Sequence, residues 1–348
     1  MSSSATQLPK TMRAVTYTAA HPSLSANLSL NPSQPLPPVQ PSQLLVKVFS
    51  AALNPADYKV VESMPAFVRR LVYGATATPG MDFCGRVVSL GSKATGKGFK
   101  EGDVVFGRLG GPQQYGTLAE YVPVGFGQVA KLPEGVDVDQ AACLGVVGET
   151  TYQSIQPFVK AGDKVFINGG SGGTGTTSIQ IAKALGCHVV TSCSTGKIDL
   201  VKSLGADEVV DYTKSDVVEE LRKKGQVFKL VLDNVGTPWN LYKAADDFLL
   251  PDGKFVQVGA VASLETLKSI LSRALLPAAL GGGSRSYTMM LPKHQPDDLT
   301  VMAVWVREGK LKPVIEEPRY ELENAAKAFE KLKEGKSRGK IVVHVAKE

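Results

Sequence analysis

The sequence predicts an α/β protein in which a doubly wound parallel sheet is joined to a small, irregular β barrel. Three observations carry that expectation. Asp163 to Gly186, DKVFINGGSGGTGTTSIQIAKALG, reads as strand, glycine turn and helix: Lys164 to Asn168 is a short β-rich apolar run, and Ile179, Ile181, Ala182 and Leu185 sit at helical spacing. Beyond it, apolar runs alternate with helical patterns across short turns, as a parallel sheet with crossover helices requires. Before it lie short β segments punctuated by glycine and proline, the composition of a small barrel rather than of a second parallel sheet.

Within the glycine turn, Gly169, Gly172 and Gly175 have G-x-x-G-x-x-G spacing. Such a turn brings bare backbone N–H groups and a helix N-terminus to an anion, and the missing side chains let a pyrophosphate come close. A dinucleotide is the natural ligand, and Gly169, Ser171, Gly172, Gly173, Thr174 and Gly175 are its candidate contacts. The elements that follow fit: a strand from Val189 to Cys193, a helix from Lys197 to Leu204, a strand from Glu208 to Val210 and a helix near Val217 to Lys223. Lys229 to Asp233, a helix near Trp239 to Phe248, and Lys254 to Val258 complete the alternation. Ligands of such sheets bind outside the carboxyl ends of the strands, which adds Asn234 to Gly236 and Val258 to Ala260, with Asn234, Val258 and Gly259 as candidates. Glycines there also serve simply to turn the chain.

Two other motifs compete. Gly169, Ser171 and Gly173 spell G-x-S-x-G, the nucleophile elbow of serine hydrolases, and Asp233 and His294 follow in the required chain order. The extra glycines favour a phosphate cradle, and the four histidines, His21, His188, His294 and His344, stand in no distinctive context. Gly91 to Gly98, GSKATGKG, imitates a Walker loop but puts Gly98 where Ser or Thr must meet Mg²⁺. No clear helix follows it, so it is set aside.

At 348 residues and 43% hydrophobic, the chain is long enough for two domains with sizeable cores. The net charge of +6 is spread, with cations and acids interleaved as from Glu316 to Arg338, so no basic tract for nucleic acid emerges. The four cysteines, Cys84, Cys143, Cys187 and Cys193, form no C-x-x-C pair, which argues against a zinc site or disulfide framework and for a reduced, cytoplasmic setting. No signal peptide is read in the polar MSSSATQLPK, and no apolar run approaches the ~18 residues of a membrane span; Ile270 to Leu280 is short, broken by Ser272 and Arg273, and reads as a buried helix.

Met12 to Tyr17 is the expected first strand, and the proline-rich Pro32 to Pro41 is a loop or sheet edge. Leu44 to Ala52 is a strand entering AALNPADYKV, and Pro79 to Gly91, Gly102 to Phe106 and Gly116 to Val124 supply further short β segments. Taken together, NPADYK (Asn54 to Lys59), PGMDFCG (Pro79 to Gly85), GDVVFG, GTLAEYV, GVVGETTYQ (Gly145 to Gln153), GGSGGTG and RGKIVV (Arg338 to Val343) resemble the medium-chain dehydrogenase/reductase superfamily. The likeness is to its zinc-independent branch of quinone oxidoreductases and enone reductases, in the family's order from Met12 onward. It implies a Rossmann NADPH-binding domain over 137–292, set within a GroES-like β-barrel catalytic domain formed by 1–136 and 293–348. Zinc-dependent relatives carry a cysteine where Asn54 stands, G-H-E where this chain has Gly80, Met81 and Asp82, and four closely spaced structural cysteines. Their absence here leaves no tetrahedral zinc site to assemble, so no metal is expected.

In a Rossmann unit an acid at the end of the second strand holds the ribose 2′-hydroxyl of NAD and repels a 2′-phosphate. Here His188 to Cys193 runs into Ser194, Thr195, Gly196 and Lys197, with no acid before Asp199, which suits NADPH. By resemblance the 2′-phosphate contacts are Ser194, Lys197 and Tyr212. Ser194 or Thr195 as a helix cap and Lys197 as a solvated residue is the plainer alternative. The resemblance also places Asn54 and Tyr58 at the nicotinamide pocket, Lys59 as a donor to the substrate carbonyl and Thr150 against the nicotinamide ring. Asn54 as a turn former and Lys59 as a surface residue stand beside those roles, and Asp82 is read as a packing or hydrogen-bonding residue. Arg338 and Lys340 reach the cofactor or belong to a charged edge strand.

The expected activity is hydride transfer from NADPH to a quinone or an α,β-unsaturated carbonyl. Two alternatives stay open: a trans-acting enoyl reductase serving a biosynthetic synthase, and a non-catalytic NADPH- or RNA-binding protein similar to ζ-crystallin. Glu62 to Thr78 is expected as a loop over the pocket, and Ser286 to Leu291 as an edge strand through which two copies pair as a homodimer.

Overall fold

The computed structural model describes residues 8–238, 240–259 and 284–348. The chain divides into two compact units, the first formed by 1–146, 294–307 and 315–348, the second by 147–293 and 308–314.

In the first unit β1 (Thr11–Thr16) and β2 (Ser29–Pro35) form an antiparallel pair, so the start of the proline-rich segment is an edge strand. β3 (Gln43–Leu53) pairs along its length with β4 (Asp82–Leu90), which continues to β5 (Val104–Arg108). The first half of β3 also takes β6 (Tyr121–Gly125), and β5 takes β7 (Val129–Lys131), all antiparallel. Alternating apolar residues on these strands meet in one core, with Leu44, Val46, Val48, Phe83, Val87, Val105, Val122 and Val129 buried together. Each such burial stabilises by roughly 1.5–3 kcal/mol relative to exposure.

The expected loop over Glu62 to Thr78 is instead largely helical: α1 (Pro55–Ser63) is followed by α2 (Ala66–Tyr73). Tyr73 is buried, and Arg69, 5% exposed, lays its guanidinium over the Tyr17 ring and donates to the Thr18 carbonyl. Those anchors hold a short helix that sequence periodicity alone does not announce. α3 (Val138–Ala142), N-capped by the Asp137 carboxylate, packs on β3 and β4, which is why the first unit runs to Val146 rather than to 136.

The second unit begins within α4 (Val146–Ile155) and builds a parallel sheet from β8 (Lys164–Asn168), β9 (His188–Cys193), β10 (Glu208–Asp211), β11 (Phe228–Asp233), β12 (Leu249–Gln257) and β13 (Ser286–Met289). The strand order is β10-β9-β8-β11-β12-β13, with every pairing parallel. The order reverses at β8, the switch point at which such sheets open a ligand crevice. α5 (Gly173–Ala184), α6 (Ile198–Ser203) and α7 (Val217–Arg222) are the crossovers.

The helix expected near Trp239 to Phe248 is not formed. Over the described residues 240–248, turns lead to a single 3₁₀ turn at Ala245–Asp247; the Phe248 carbonyl accepts the Val227 and Phe228 N–H groups and the Asp246 carbonyl accepts Gln226 and Arg285 side chains. The remaining turns are internal, with the Leu241 N–H bonded to the Pro238 carbonyl, Ala244 to Asn240 and Asp247 to Ala244. The helix expected over Ile270 to Leu280, and Ala260, lie outside the described residues.

α8 (Pro296–Arg307) returns to the first unit and packs on β7. Residues 308–314 stay with the second unit, where Gln180 on α5 exchanges two hydrogen bonds with the Lys312 backbone, at 2.7 and 3.0 Å. β14 (Tyr320–Glu321), α9 (Ala325–Lys333) and β15 (Ile341–His344) end the chain. β15 runs antiparallel to the second half of β3, from Ile341 opposite Leu53 to His344 opposite Ser50, and parallel to β14. Among the described residues no helix is long and apolar enough to cross a membrane.

Candidate active site

In the second unit, the strand-end candidates gather at the carboxyl edge of the sheet. Gly169 turns with φ +79°, and Gly172 precedes the first turn of α5 with no side-chain cap. The leading N–H groups of a helix have no partner inside it, which makes this uncapped end a candidate anion cradle. A Cβ on Gly175 would lie 2.1 Å from the Gly169 carbonyl oxygen, so only glycine lets the helix seat against the turn, whereas a Cβ on Gly172 would meet nothing within 4 Å. The room above Gly172 and the close fit beneath Gly175 are what a bound pyrophosphate needs. Ser171 and Thr174 are half-buried beside it.

Under the turn lies a buried polar chain. The Gly169 N–H donates to Ser192 Oγ at 2.9 Å, Ser192 Oγ donates to Asn168 Oδ1 at 2.7 Å, and Asn168 Nδ2 donates to Asp233 Oδ1 at 2.9 Å. The same Asp233 oxygen accepts the Val235 and Gly236 N–H groups. β8, β9 and β11 are thereby locked together at the switch point by hydrogen bonds that water cannot reach. Asn234 donates to Ser178 Oγ, while its own Oδ1 is buried without a hydrogen-bond partner in the protein. Gly259 packs against Asn234, where a Cβ would fall 2.1 Å from the Asn234 carbonyl oxygen, and Val258 N–H donates to the Asp233 carbonyl.

Ser194, half-buried, follows β9 and caps nothing, and Lys197 closes the 3₁₀ turn after it. Tyr212, 54% exposed, follows β10, its N–H donating to the Cys193 carbonyl. Adjacent strands therefore set Ser194, Lys197 and Tyr212 at neighbouring strand ends. Thr150 sits buried on α4.

Ser171 is no nucleophile elbow. Among the described residues no non-glycine has positive φ, Asp233 is committed to the loop N–H groups, and His294 belongs to the first unit, where its Nε2 meets Gln128. The strained serine that the elbow requires is absent from this turn.

In the first unit the NPADYK passage opens α1 beside a second buried network. Asn54 is 2% exposed, Asp82 0% and Lys340 4%. Lys340 Nζ donates to the Leu53 carbonyl at 2.9 Å, Asn54 Oδ1 at 2.6 Å and Asp82 Oδ2 at 3.1 Å. Asn54 Nδ2 donates to Asp82 Oδ2 at 2.9 Å, and the Val146 N–H to Asp82 Oδ1 at 2.8 Å. An ammonium has three donors, and in this structure all three of Lys340 are engaged in this network. Asn54 likewise spends both ends of its amide here. Gly145 is the other fixed point, since a Cβ there would lie 2.4 Å from Asp82 Oδ1.

Sequence reading passed over Asp57, three residues into the same passage. Its Oδ2 accepts the Asn54 N–H at 2.7 Å, its Oδ1 is buried without a partner, and burial pushes its carboxyl up to about 8. Tyr58 lays its ring against the Lys333 ammonium, 4.9 Å from the centroid, and burial with nearby Glu62 raises its phenol. Lys59 is exposed. Asp57 and the role of Asp82 had one sequence signal, an acid inside an otherwise apolar or glycine-rich run.

Residues 40–134 match the alcohol dehydrogenase GroES-like domain family, and residues 204–343 the zinc-binding dehydrogenase family. Among curated proteins, the chain is 46% identical to the trans-enoyl reductase pgmF of Aspergillus terreus over 354 residues, covering 98% of each. It is 32% identical to the chloroplastic NADPH-dependent alkenal/one oxidoreductase of Arabidopsis thaliana, covering 91% of this chain and 76% of that one. Among solved structures, the quinone oxidoreductase of Coxiella burnetii aligns with a TM-score of 0.83 at 29% identity, covering 97% of this chain and all of the other. The zinc that one family description implies does not fit the residues present. Lys340 places an ammonium against the only carboxylate of the buried trio, Asn54 offers an amide in place of a thiolate, and among the described residues no three His, Cys, Asp or Glu side chains converge. With its GroES-like unit, its doubly wound parallel sheet and relatives of this closeness over nearly its whole length, the chain belongs to the medium-chain dehydrogenase/reductase superfamily and is an oxidoreductase.

Proposed function

We propose that the chain is an NADPH-dependent, metal-free reductase of α,β-unsaturated carbonyls or quinones. The observation that carries this reading is the uncapped glycine turn of α5, with Ser194, Lys197 and Tyr212 at neighbouring strand ends and no carboxylate closing β9. Bound NADPH supplies a hydride to an electron-poor carbon. The turn from Gly169 to Gly175 holds the pyrophosphate by backbone N–H groups, and the Asn168–Ser192–Asp233 chain keeps the turn rigid. Asn234, Val258 and Gly259 line the strand ends on the other side of the switch point. Thr150 orients the nicotinamide. Negative charge that develops on the substrate oxygen needs a donor, and the product needs a proton. Lys59, exposed on α1, and the Tyr58 hydroxyl are assigned these tasks, because Asn54 is committed to Asp82 and Lys340. The buried ion pair fixes the start of α1 and thus the placement of Lys59.

Within this reading an enoyl thioester is the favoured unsaturated carbonyl, since the fungal relative at 46% identity is named a trans-enoyl reductase. The setting is cytoplasmic, which suits four buried free thiols, and neither membrane nor nucleic acid is a partner. Among the described residues β13 ends the sheet, and it is the surface proposed for pairing in a homodimer.

The test follows NADPH, and separately NADH, with 9,10-phenanthrenequinone, an alkenal, an alkenone and a short enoyl thioester, before and after a chelator. Chelator-resistant oxidation that prefers NADPH is expected. Activity abolished by chelator and restored by Zn²⁺ would overturn the metal-free assignment. Lys197→Glu should move the preference toward NADH, because a carboxylate repels the 2′-phosphate.

A further inference from the structure

The rim of the proposed 2′-phosphate pocket holds a carboxylate that the sequence does not place there. Asp211 ends β10 in register with Cys193, the last residue of β9. Its Oδ2 accepts the Thr195 hydroxyl at 2.5 Å, and its Oδ1 accepts the Thr213 hydroxyl at 2.6 Å and the Thr213 N–H at 3.0 Å. The two hydroxyl oxygens lie 2.9 Å apart. Thr195 is the neighbour of Ser194, and Tyr212 stands between Asp211 and Thr213. Besides the bond from Tyr212 N–H to the Cys193 carbonyl, the two strand-end turns are thus held together through one side chain.

A carboxylate beside a phosphate site should repel the phosphate, and the local chemistry answers that difficulty. The hydrogen bonds from Thr195 and Thr213 hold the Asp211 carboxyl below the usual carboxylate range, so its charge is already directed into those donors. Each hydroxyl carries a single proton and gives it to Asp211, which leaves Ser194, Lys197 and Tyr212 as the groups for the phosphate. A hydroxyl pair that merely decorated the surface would need no common acceptor.

We propose that Asp211 is a positioning residue of the 2′-phosphate pocket: by bridging Thr195 and Thr213 it sets the separation of Ser194 and Tyr212, and with it the preference for NADPH over NADH. The inference rests on the NADPH reading above. It assigns a specificity role to a residue that touches no cofactor.

The experiment compares the full-length wild type with Asp211→Ala, Thr195→Val and Thr195→Ser. Calorimetry gives the affinity for adenosine 2′,5′-bisphosphate against adenosine 5′-monophosphate, and kinetics give KM and kcat with each nicotinamide cofactor. Loss of a hydrogen bond to a charged group should lower the 2′-phosphate discrimination of Asp211→Ala and Thr195→Val by about tenfold. The loss should fall on KM for NADPH rather than on kcat, and Thr195→Ser, which keeps the hydroxyl, should retain discrimination. A general folding defect would instead weaken both ligands equally, which would overturn the assignment. So would discrimination unchanged within about twofold, or discrimination that rises in Asp211→Ala, since the carboxylate would then be only a repulsive neighbour. A wild type that does not distinguish the two ligands removes the NADPH reading and this inference together. A wild type that does, with variants that match it, removes this inference alone.

Discussion

Replacing Lys340 by Met tests a buried ion pair, in which Lys340 is 4% exposed. The thioether keeps most of the aliphatic volume of the lysine stem, so little cavity is opened. What is lost is the ammonium that satisfies the Leu53 carbonyl, Asn54 Oδ1 and Asp82 Oδ2. Asp82, at 0% exposure, retains only the Asn54 amide and the Val146 N–H as donors. Breaking a buried pair by removing one partner costs about 3–5 kcal/mol, a large share of the roughly 5–15 kcal/mol that separates folded from unfolded states. Urea unfolding followed by circular dichroism should therefore show a large fall in midpoint at unchanged slope for Lys340→Met. Adding Asp82→Asn removes the stranded charge while keeping an acceptor for Val146, and should restore more than half of the loss. A Lys340→Met cost below about 1 kcal/mol, or a double variant no better than the single, would show that the pair does not hold this corner of the fold.

Three further outcomes follow from the same geometry. Gly175→Ala forces a Cβ to 2.1 Å from the Gly169 carbonyl oxygen, so NADPH binding read by fluorescence should weaken by at least about tenfold, given the ~1–3 kcal/mol of overpacking strain; Gly172→Ala, with nothing within 4 Å, should fold and unfold like wild type. Burial raises the Asp57 carboxyl to about 8, so its ionisation opposes the folded state: its contribution is fully present below the unfolded value near 3.8 and is lost as pH rises through about 8. Asp57→Asn keeps an acceptor for the Asn54 N–H and cannot ionise, so stability measured from pH 5 to 8 should decline less steeply than in wild type. Size-exclusion chromatography should give a dimer if β13 pairs with its copy, and a monomer at working concentration would refute that pairing.

Much of the nucleotide-binding unit was legible because its signals are local. Strand, glycine turn and helix occupy one stretch, Asp163 to Gly186, and steric need for glycine at Gly175 is written in the residue itself. The apolar alternation of β8 to β12 likewise survives in the chain, since strands covered on both faces must be apolar. Trp239 to Phe248 misled because apolar spacing reports burial and not helix: over 240–248 Tyr242 and Phe248 are buried from a run of turns that ends in one 3₁₀ turn. In Glu62 to Thr78 the reverse occurred, with α2 held by Arg69 and Tyr73 against residues near the N-terminus.

By itself, then, the sequence determined the two-part architecture, the glycine cradle and the missing zinc ligands, because each depends on which residue types occur and how they are spaced. Tertiary structure decided what the charged residues do. Lys340 lies 258 positions from Asp82 and 286 from Asn54, and nothing local to any of them announces the pair that burial enforces. Asp211 meets Thr195 only because β10 lies beside β9 in a register that brings the two together. An ion pair or a bridging carboxylate depends on distance and on exclusion of water, and both are fixed only when the strands that carry them are packed side by side.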